Sequence, residues 1–539
     1  MKLPRKLAVP TLLCSALSLV LLGLQGVGSA SGTTSKAASA STVLNLALTT
    51  DMPDPDPDIF YFTEGNAIVT NVYDDIVQYS HTDSFQVVPD LAKSWTITNN
   101  GKTYTFELQP NVHFHTGGVM TSADVRFSIE RRDNPKINSP MAYLTEEANI
   151  TSIDTPNPLT VVVNLKQPDI EFLSDLASPY GVKVISQAAV LAHQVKGDLG
   201  QKWLETHDAG TGPFTITTFE PGREYVLSRF NLYWGKKPEL SAVDITVVPS
   251  STTQLLELQQ GQLGMVIHGL TVSELDQLAK NPAYHLSIYP ATYKLWLSAN
   301  MNHGPFTSQA LRTALAAAID RQYINQQIYG PYGSPSVDFY IPGEVPAGTA
   351  LDDPKYDPSE LSKLVAKLPA AEKTVSLVYT TDDQTNEQAA EILQTELEAD
   401  GLNVTLQGVP LSDGFTYLQQ SPKLDPDLML FDGNPDSGNA DDYARPFVGG
   451  VGVGDNGSLN SFHCVVPNIN TQLSEGLYSN SLASTTKIYE QIGTEAAKVA
   501  CFDSISEVRD VIVTSSKYGN INHQIATVWS VPFGDITVK

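Results

Sequence analysis

Apolar and polar positions alternate with a period of two along Trp95-Thr96-Ile97 and again along Tyr104-Thr105-Phe106-Glu107-Leu108, the signature of half-buried strands. Between them, Asn99-Asn100-Gly101-Lys102 supplies residues that tolerate positive φ, so the two runs predict a hairpin. After Gly117 and Gly118 the period lengthens to nearly four. Thr121 can cap a helix with Asp124 at its third position, and Val125 and Ile129 share one face of it. The same reading gives strands at Val43 to Thr49, Leu159 to Leu165, near Met265 to Ile267, and at Leu295 to Asn300. It gives a short helix through Leu255, Leu256 and Leu258, and a helix from Ser308 to Arg321 striped by Leu311, Ala314, Leu315, Ala318 and Ile319. Val375 to Tyr379, a helix from Asn386 to Asp400 stopped by Gly401, and Leu402 to Leu406 form a βαβ unit. A strand opening at Asp427 leaves as the loop Gly433 to Gly438, and a helix from Ser484 to Val499 precedes strands at Val508 to Thr514 and Ile525 to Val531.

The block Val88 to Arg131 resembles the N-terminal signature of the family 5 extracellular solute-binding proteins, the peptide- and nickel-binding receptors of ABC importers. Pro89-Asp90-Leu91-Ala92 through Trp95, Gly101 with Tyr104 and Phe106, Phe114-His115 with Gly117, and Ala123-Asp124-Val125 with Phe127-Ser128 carry the match. Gly210-Thr211-Gly212-Pro213-Phe214, followed by Asn231 and Tyr233-Trp234, is a second match. The resemblance implies an α/β, two-lobed periplasmic-binding-protein-like fold of type II, with an extra subdomain and a hinge. Laid on this chain, it gives a first lobe at 43–285 with the extra subdomain at about 71–205, a second lobe at 286–514, and a return to the first lobe at 515–539.

The likeness is strongest to the dipeptide- and oligopeptide-binding branch. There, an Asp nine residues after the start of a strand pairs with the ligand's α-ammonium, and Asp436 stands at that offset from Asp427. Tyr61, Thr63 and Glu64 are lining candidates by position in the family alone. The chain departs from the pattern at Gly433, where many relatives have Trp, and at Leu430, where some have Arg. Gly261-Gln262-Leu263-Gly264 also lacks the family's acidic pair.

At 539 residues the chain exceeds one small core, in keeping with two lobes. Its formal charge is −26. Without the first thirty residues, which hold Lys2, Arg5 and Lys6 and no acid, 30 basic residues face 59 acidic ones and the charge is −29. That balance argues against nucleic acid or anionic lipid as a partner. The three bases, an apolar run from Leu7 to Leu24, and Gly28-Ser29-Ala30 fit an export signal over residues 1–30. The run is also long enough to be kept as an N-terminal anchor, with residues 31–42 as a flexible linker. Cys14 lies inside the apolar run, so lipidation there is rejected. Only Cys464 and Cys501 remain, and in an exported protein two cysteines suggest one disulfide; two buried thiols are the alternative.

Asp54-Pro55-Asp56-Pro57-Asp58 invites a calcium-loop reading, but Ile59 stands where the turn needs Gly and Gly65 where a Glu would close the site. His113-Phe114-His115 could face one ion, yet no third ligand lies at suitable spacing, so a structural hydrogen bond is the preferred role of His115. In Gly210 to Phe214, Pro213 removes a donor that a phosphate cradle would need. No G-x-S-x-G, H-E-x-x-H, Walker loop or C-x-x-C occurs. The expectation is a binding protein with no catalytic residues, resident metal or cofactor: an exported monomer that takes small peptides and passes them to ABC permease subunits. Nickel chelates, sugars or opines are the alternatives within the fold, and a secreted hydrolase is the alternative of another class.

Overall fold

The computed structural model describes residues 42–539 apart from 62–63, 82–84, 346–354, 382–383, 420–424, 451–459, 461–463, 465 and 524–528. Thr63, Cys14, the leader and residues 31–41 of the linker lie outside the described residues.

Two long strands organise the chain. Tyr284–Ala299 and Phe502–Ser515 run antiparallel through most of their length, from Tyr284 opposite Ser515 to Ser298 opposite Phe502. Beyond one end of this pair lie Met265–Val266, Val43–Leu48, Ala242–Val247, Glu224–Arg229 and Phe214–Glu220. Beyond the other lie Leu428–Gly433, Thr374–Thr380 and Asn403–Val409. The ladder slips between Ile288 and Ala291 and again between Ala291 and Tyr293. Pro290 sits at that slip, and a residue without an N–H cannot donate to the ladder, which explains why the sheet is irregular there. The two crossover strands thus join two α/β lobes through a weakened ladder. We propose that the lobe boundaries lie within them; the expected division after residue 285 falls inside the first.

Each lobe has its own core. The first gathers Leu44, Leu46, Leu48, Phe214, Tyr225, Leu227 and Val243 with the C-terminal Tyr518, Val531, Phe533 and Ile536, so the chain's end packs back onto its beginning. The second gathers Leu295, Leu297, Leu311, Leu315, Leu377, Leu393 and Leu428. A third core, around Tyr104, Phe106, Leu108, Val125 and Val163, belongs to a four-stranded sheet of Ala92–Thr98, Thr103–Leu108, Thr160–Leu165 and Ile150–Asn157.

Local chemistry accounts for the elements. Asn99 and Asn100 take φ of 52° and 54° and Gly101 takes 82°, closing the hairpin with Trp95 opposite Phe106 and Ile97 opposite Tyr104. The helix Ser122–Arg132 starts with the Thr121 backbone N–H donating to Asp124 Oδ2 at 2.9 Å. The expected helix from Ser308 to Arg321 divides into Gln309–Ala318 and Arg321–Ile328, because Asp320 caps the second by accepting from the Tyr323 N–H at 2.9 Å. In Ser251–Gln259, Leu255 and Leu258 are buried but Leu256 faces outward. Of the expected strand Ile525 to Val531, residues 529–531 are irregular and the rest lies among residues not described. Gly210 and Gly212 touch the backbone of Val72 and Asn71 too closely for any Cβ, so the glycine turn is a packing device. Cys464 and Cys501 form a disulfide with Cα atoms 5.6 Å apart, tying the segment before helix Ile469–Leu477 to the start of the second crossover strand.

The Asp-Pro-Asp-Pro-Asp segment is held by the last turn of the signature helix. Arg131 Nη2 lies 2.5 Å from Asp56 Oδ2, and its Nη1 donates to both Asp56 and Asp58. Arg132 Nε reaches Asp58 Oδ1 at 2.8 Å, and its remaining nitrogens donate to the carbonyls of Pro57, Tyr180 and Gly181. All four charged side chains are buried. His115 is engaged likewise: Nδ1 is 2.5 Å from Asp208 Oδ1 and Nε2 is 2.9 Å from the Gly212 carbonyl. Both partners accept, so both ring nitrogens carry protons. Burial opposes that charge, but the Asp208 carboxylate overrides it and the imidazole pKa is raised.

Removing Arg131 leaves two buried carboxylates without their main cation. Arg131→Ala is expected to destabilise the fold by about 3–5 kcal/mol in urea unfolding. Arg126→Ala, which removes an exposed pair with Glu130, should change it by no more than about 0.5 kcal/mol. Equal effects of the two substitutions would contradict the assignment.

Candidate functional site

A cavity of about 1700 Å³ lies between the lobes, with Tyr61, Glu64 and Tyr143 on the first-lobe wall and Phe431, Asp436 and Asp442 on the second. The loop that carries Asp436 follows strand Leu428–Gly433 and is stiffened by its own polar groups. The Ser437 N–H donates to Asp442 Oδ2 at 2.7 Å, Asn439 Nδ2 reaches Ser437 Oγ at 2.5 Å, and the Asp442 N–H reaches Asn439 Oδ1 at 2.9 Å. These local side-chain bonds, two of them to backbone N–H groups, set the entry to helix Asp441–Val448 and aim Asp436 across the cleft.

There the phenols of Tyr61 and Tyr143 both donate to Asp436 Oδ2. Tyr143 is also 3.3 Å from Asp442 Oδ1, and the Ser178 hydroxyl donates to the backbone carbonyl of Asp436. Among the described residues no Lys, Arg or His is paired with Asp436. Burial pushes its carboxyl up to about 6, against the pull of the two phenol bonds. Asp442 is pushed well above the ordinary carboxylate range, first by burial and then by the neighbouring charge of Asp436. Double ionisation of the pair is therefore disfavoured, while the two phenols donate to Asp436 without cancelling its charge.

Glu64 also lines the cavity, but its oxygens accept from the N–H and hydroxyl of Thr49 and from the Thr50 N–H. It anchors the end of the first strand. Tyr61 and Asp436 are brought together, whereas the Glu64 carboxylate is turned to Thr49 and Thr50 and is not bonded to Asp436. Tyr143 and Ser178 were not singled out from the sequence; Tyr143 lies on a four-residue helix, too short for any periodic signal.

Other contacts cross the cleft beside this cluster. The Gly438 N–H donates to Tyr79 Oη at 2.7 Å, Asn439 Nδ2 to Asp175 Oδ1 at 2.8 Å, and the Ile170 N–H to the Leu477 carbonyl at 3.2 Å. Arg445 pairs with Asp441 at 2.5 Å on its own lobe and with Glu147 at 3.4 Å across the gap. The Phe85 ring packs against Gly343 and Gly438. The lobes are thus in a closed arrangement, latched at one rim. Among the described residues no group of three or more His, Cys, Asp or Glu is placed to hold a metal ion, and no helix is long and apolar enough to cross a membrane.

Two α/β lobes joined by crossover strands and closed over a cavity define a two-lobed, hinged ligand receptor of the periplasmic-binding type. Residues 86–455 match the family model of the bacterial extracellular solute-binding proteins, family 5 middle, and the chain belongs to that family. It is similar to the peptide transport periplasmic protein SapA of Salmonella typhimurium strain LT2, at 29% identity over 433 residues and 76% of each chain. It is also similar to the nickel-binding periplasmic protein of Escherichia coli K12, at 25% identity over 498 residues, 86% of this chain and 89% of that one. In fold it matches the periplasmic binding protein DppA of Helicobacter pylori, solved in complex with the peptide STSA. The TM-score is 0.81 at 20% identity, over 92% of this chain and 98% of that one. The chain is therefore a solute-binding protein of the ABC-transporter class.

The latch is testable without knowing the ligand. A Cβ at position 438 would stand 2.0 Å from Phe85 Cδ1. Gly438→Val should therefore hold the lobes apart, and small-angle X-ray scattering should report a larger radius of gyration than for the parent. Adding Phe85→Ala should restore the parent value. An unchanged radius for Gly438→Val would show that the rim contact does not govern closure.

Proposed function

We propose that this protein binds peptides in the interlobe cavity and delivers them to an ABC permease, with Asp436 anchoring the ligand's α-ammonium. The observation that carries the reading is a half-buried carboxylate enclosed by the closed cleft and held by two phenols, with no cation paired to it among the described residues. A carboxylate in that setting is unfavourable alone and favourable with a cation beside it. An ammonium presents three donors and would replace or join the phenol bonds at Oδ2, while Oδ1 accepts from no described group. The cavity also exceeds the roughly 300–1,000 Å³ of ordinary small-molecule sites, leaving room for a peptide and bridging water.

Calorimetric titration with di- to pentapeptides should show binding. N-acetylation, or Asp436→Asn, should weaken it about 100-fold or more, the loss expected when one partner of a buried charge pair is removed. If acetylated peptides bind as well as free ones, Asp436 has another role. Hydrolysis of any bound peptide would favour the secreted-hydrolase alternative. Tight binding of a nickel chelate, sugar or opine in place of every peptide would favour those ligands instead.

The pH dependence has a definite sign. Ammonium binding requires the ionised carboxylate, and a proton competes for it below the raised pKa of about 6. Affinity for a free-amine peptide should be highest near pH 7, fall about twofold by pH 8 as the α-amino group loses its proton, and fall by up to about tenfold per unit below pH 6. Asp436→Asn should abolish that slope. Affinity unchanged between pH 7 and 5 would exclude Asp436 as the titrating anchor.

A further inference from the structure

We propose that the rim where the lobes meet is a proton-operated latch. Closing the ligand-free receptor takes protons into an acid cluster centred on Asp169 and Glu171, so low pH favours the closed form and high pH the open one. The proposal concerns the empty protein and does not depend on the peptide reading.

Hydrogen bonds fix each acid of the cluster at the lobe boundary. Between Asp169 and Glu171, the Ile170 N–H donates to the Leu477 carbonyl of the second lobe at 3.2 Å. Asp175, on the helix that follows, accepts through Oδ1 from Asn439 Nδ2 at 2.8 Å, and Asn439 lies two residues before Asp441. Glu147 stands 3.4 Å from Arg445 Nε, and Asn149, two residues later, reaches the Tyr478 hydroxyl at 3.4 Å. Closure therefore sets four first-lobe carboxyls against Asp441 and Asp442.

Little positive charge offsets them. Arg445 is shared between Asp441, at 2.5 Å, and Glu147, while Asp169, Glu171 and Asp175 have no ion pair among the described residues. Tyr489 and Tyr143 donate to Asp441 and Asp442 but carry no charge. Glu344 of the second lobe adds a further acid, close enough for the charges of Asp442 and Glu171 to act on it. Lys294, which faces Glu344, donates to the carbonyls of Asp338 and Tyr340 and lies 3.7 Å from Glu507.

Asp169 supplies a second, independent sign. It is 1% exposed, and its Oδ1 accepts from the Glu171 N–H at 2.9 Å, but its Oδ2 is buried without a donor among the described residues. A buried carboxylate oxygen left unpaired is costly, and a proton on the group removes the charge responsible. Burial pushes Asp169 up to about 7 against the pull of the Glu171 N–H, with the charge of Asp441 added. Burial, then Asp441 and Asp169, pushes Glu171 up to about 8. Separating the lobes would rehydrate both groups and take Asp441 away, returning them towards the ordinary value of about 4. The closed form thus binds more protons than the open form. Its advantage is full below the open-form values and is lost as pH rises through about 7 to 8.

The test is small-angle X-ray scattering of the ligand-free full chain between pH 8 and pH 5. The radius of gyration should shrink on acidification, with the closed-to-open ratio rising about tenfold per pH unit for each proton taken up. The double variant Asp169→Asn, Glu171→Gln should have, at pH 8, a radius nearer the parent's acid value, and should change less on acidification. Asp133→Asn is the control. Asp133 bonds to Thr145, and the charges acting on it, Arg132, Glu146 and Asp58, all belong to the first lobe, so the parent's response should survive. Thermal unfolding midpoints above the measuring temperature at both ends of the range would show that all variants stay folded. A parent radius that is constant from pH 8 to pH 5 overturns the latch. A full response in the double variant overturns its assignment to Asp169 and Glu171.

Discussion

Two guanidiniums at the end of one helix hold the first-lobe half of the cleft in place. The turn from Asp54 to Asp58 contains two prolines and so lacks two backbone donors, and it could not be fixed by a ladder. Its carboxylates are instead gripped by Arg131 and Arg132. Arg132 at the same time donates to the carbonyls of Tyr180 and Gly181. One side chain thus fixes both the segment leading to Tyr61 and the loop carrying Ser178 and Tyr180, and the rings of Tyr61 and Tyr180 meet edge-on at 5.1 Å. Buried ion pairs add little net stability compared with apolar packing, because desolvation offsets their attraction. Here their effect is positional: phenol and hydroxyl are presented together to the second lobe.

The rest of the cleft is governed by what closure does to charge. Across the latch, Glu147, Asp169, Glu171 and Asp175 of the first lobe come near Asp441 and Asp442 of the second, and Arg445 is the cation paired across the gap among the described residues. Burial, and then the charges of Asp441 and Asp169, push Glu171 up to about 8. Burial, with Asp441 again beside it, does the same to Glu147 against the pull of Arg445. A carboxyl with a pKa raised this way is destabilised as an anion, so closing at neutral pH is opposed either by repulsion or by the uptake of protons. A cation between the lobes would offset the opposition. A binding protein needs that balance, since a receptor latched as firmly without cargo as with it would carry no signal to a permease.

Much of the architecture was legible from the amino-acid order because it rests on local rules. The hairpin at Asn99 to Gly101, the box formed by Thr121 and Asp124, and the βαβ unit around Gly401 each follow from residues close in sequence. The division of the helix at Asp320 was also locally encoded, but the apolar stripe through Ile319 outweighed a single capping residue. Asp436 could be singled out only through family resemblance, since an Asp in a Gly- and Ser-containing loop has no signal of its own. Its partners could not be read at all. Tyr61 and Tyr143 stand 375 and 293 residues away from it, and nothing in a phenol's neighbours announces where its hydroxyl will point. The Asp-Pro-Asp-Pro-Asp segment was readable as not binding calcium, while its engagement with Arg131 and Arg132 depended on a helix more than seventy residues later.

The choice of tyrosine around Asp436 has a physical logic. An arginine or lysine there would cancel the carboxylate's charge, return its pKa to the ordinary range or below, and compete with any incoming ammonium through an attraction of the same strength. A wholly apolar wall would drive the group to its neutral acid, which attracts no cation. Phenols fall between these limits. They donate to the anion, so it survives burial, yet carry no charge of their own, so its field is not extinguished. Tyr143, within reach of both Asp436 and Asp442, supplies a donor where the two carboxyls approach each other. On the proposed reading, a site built this way would hold its charge until a ligand cation pairs with it.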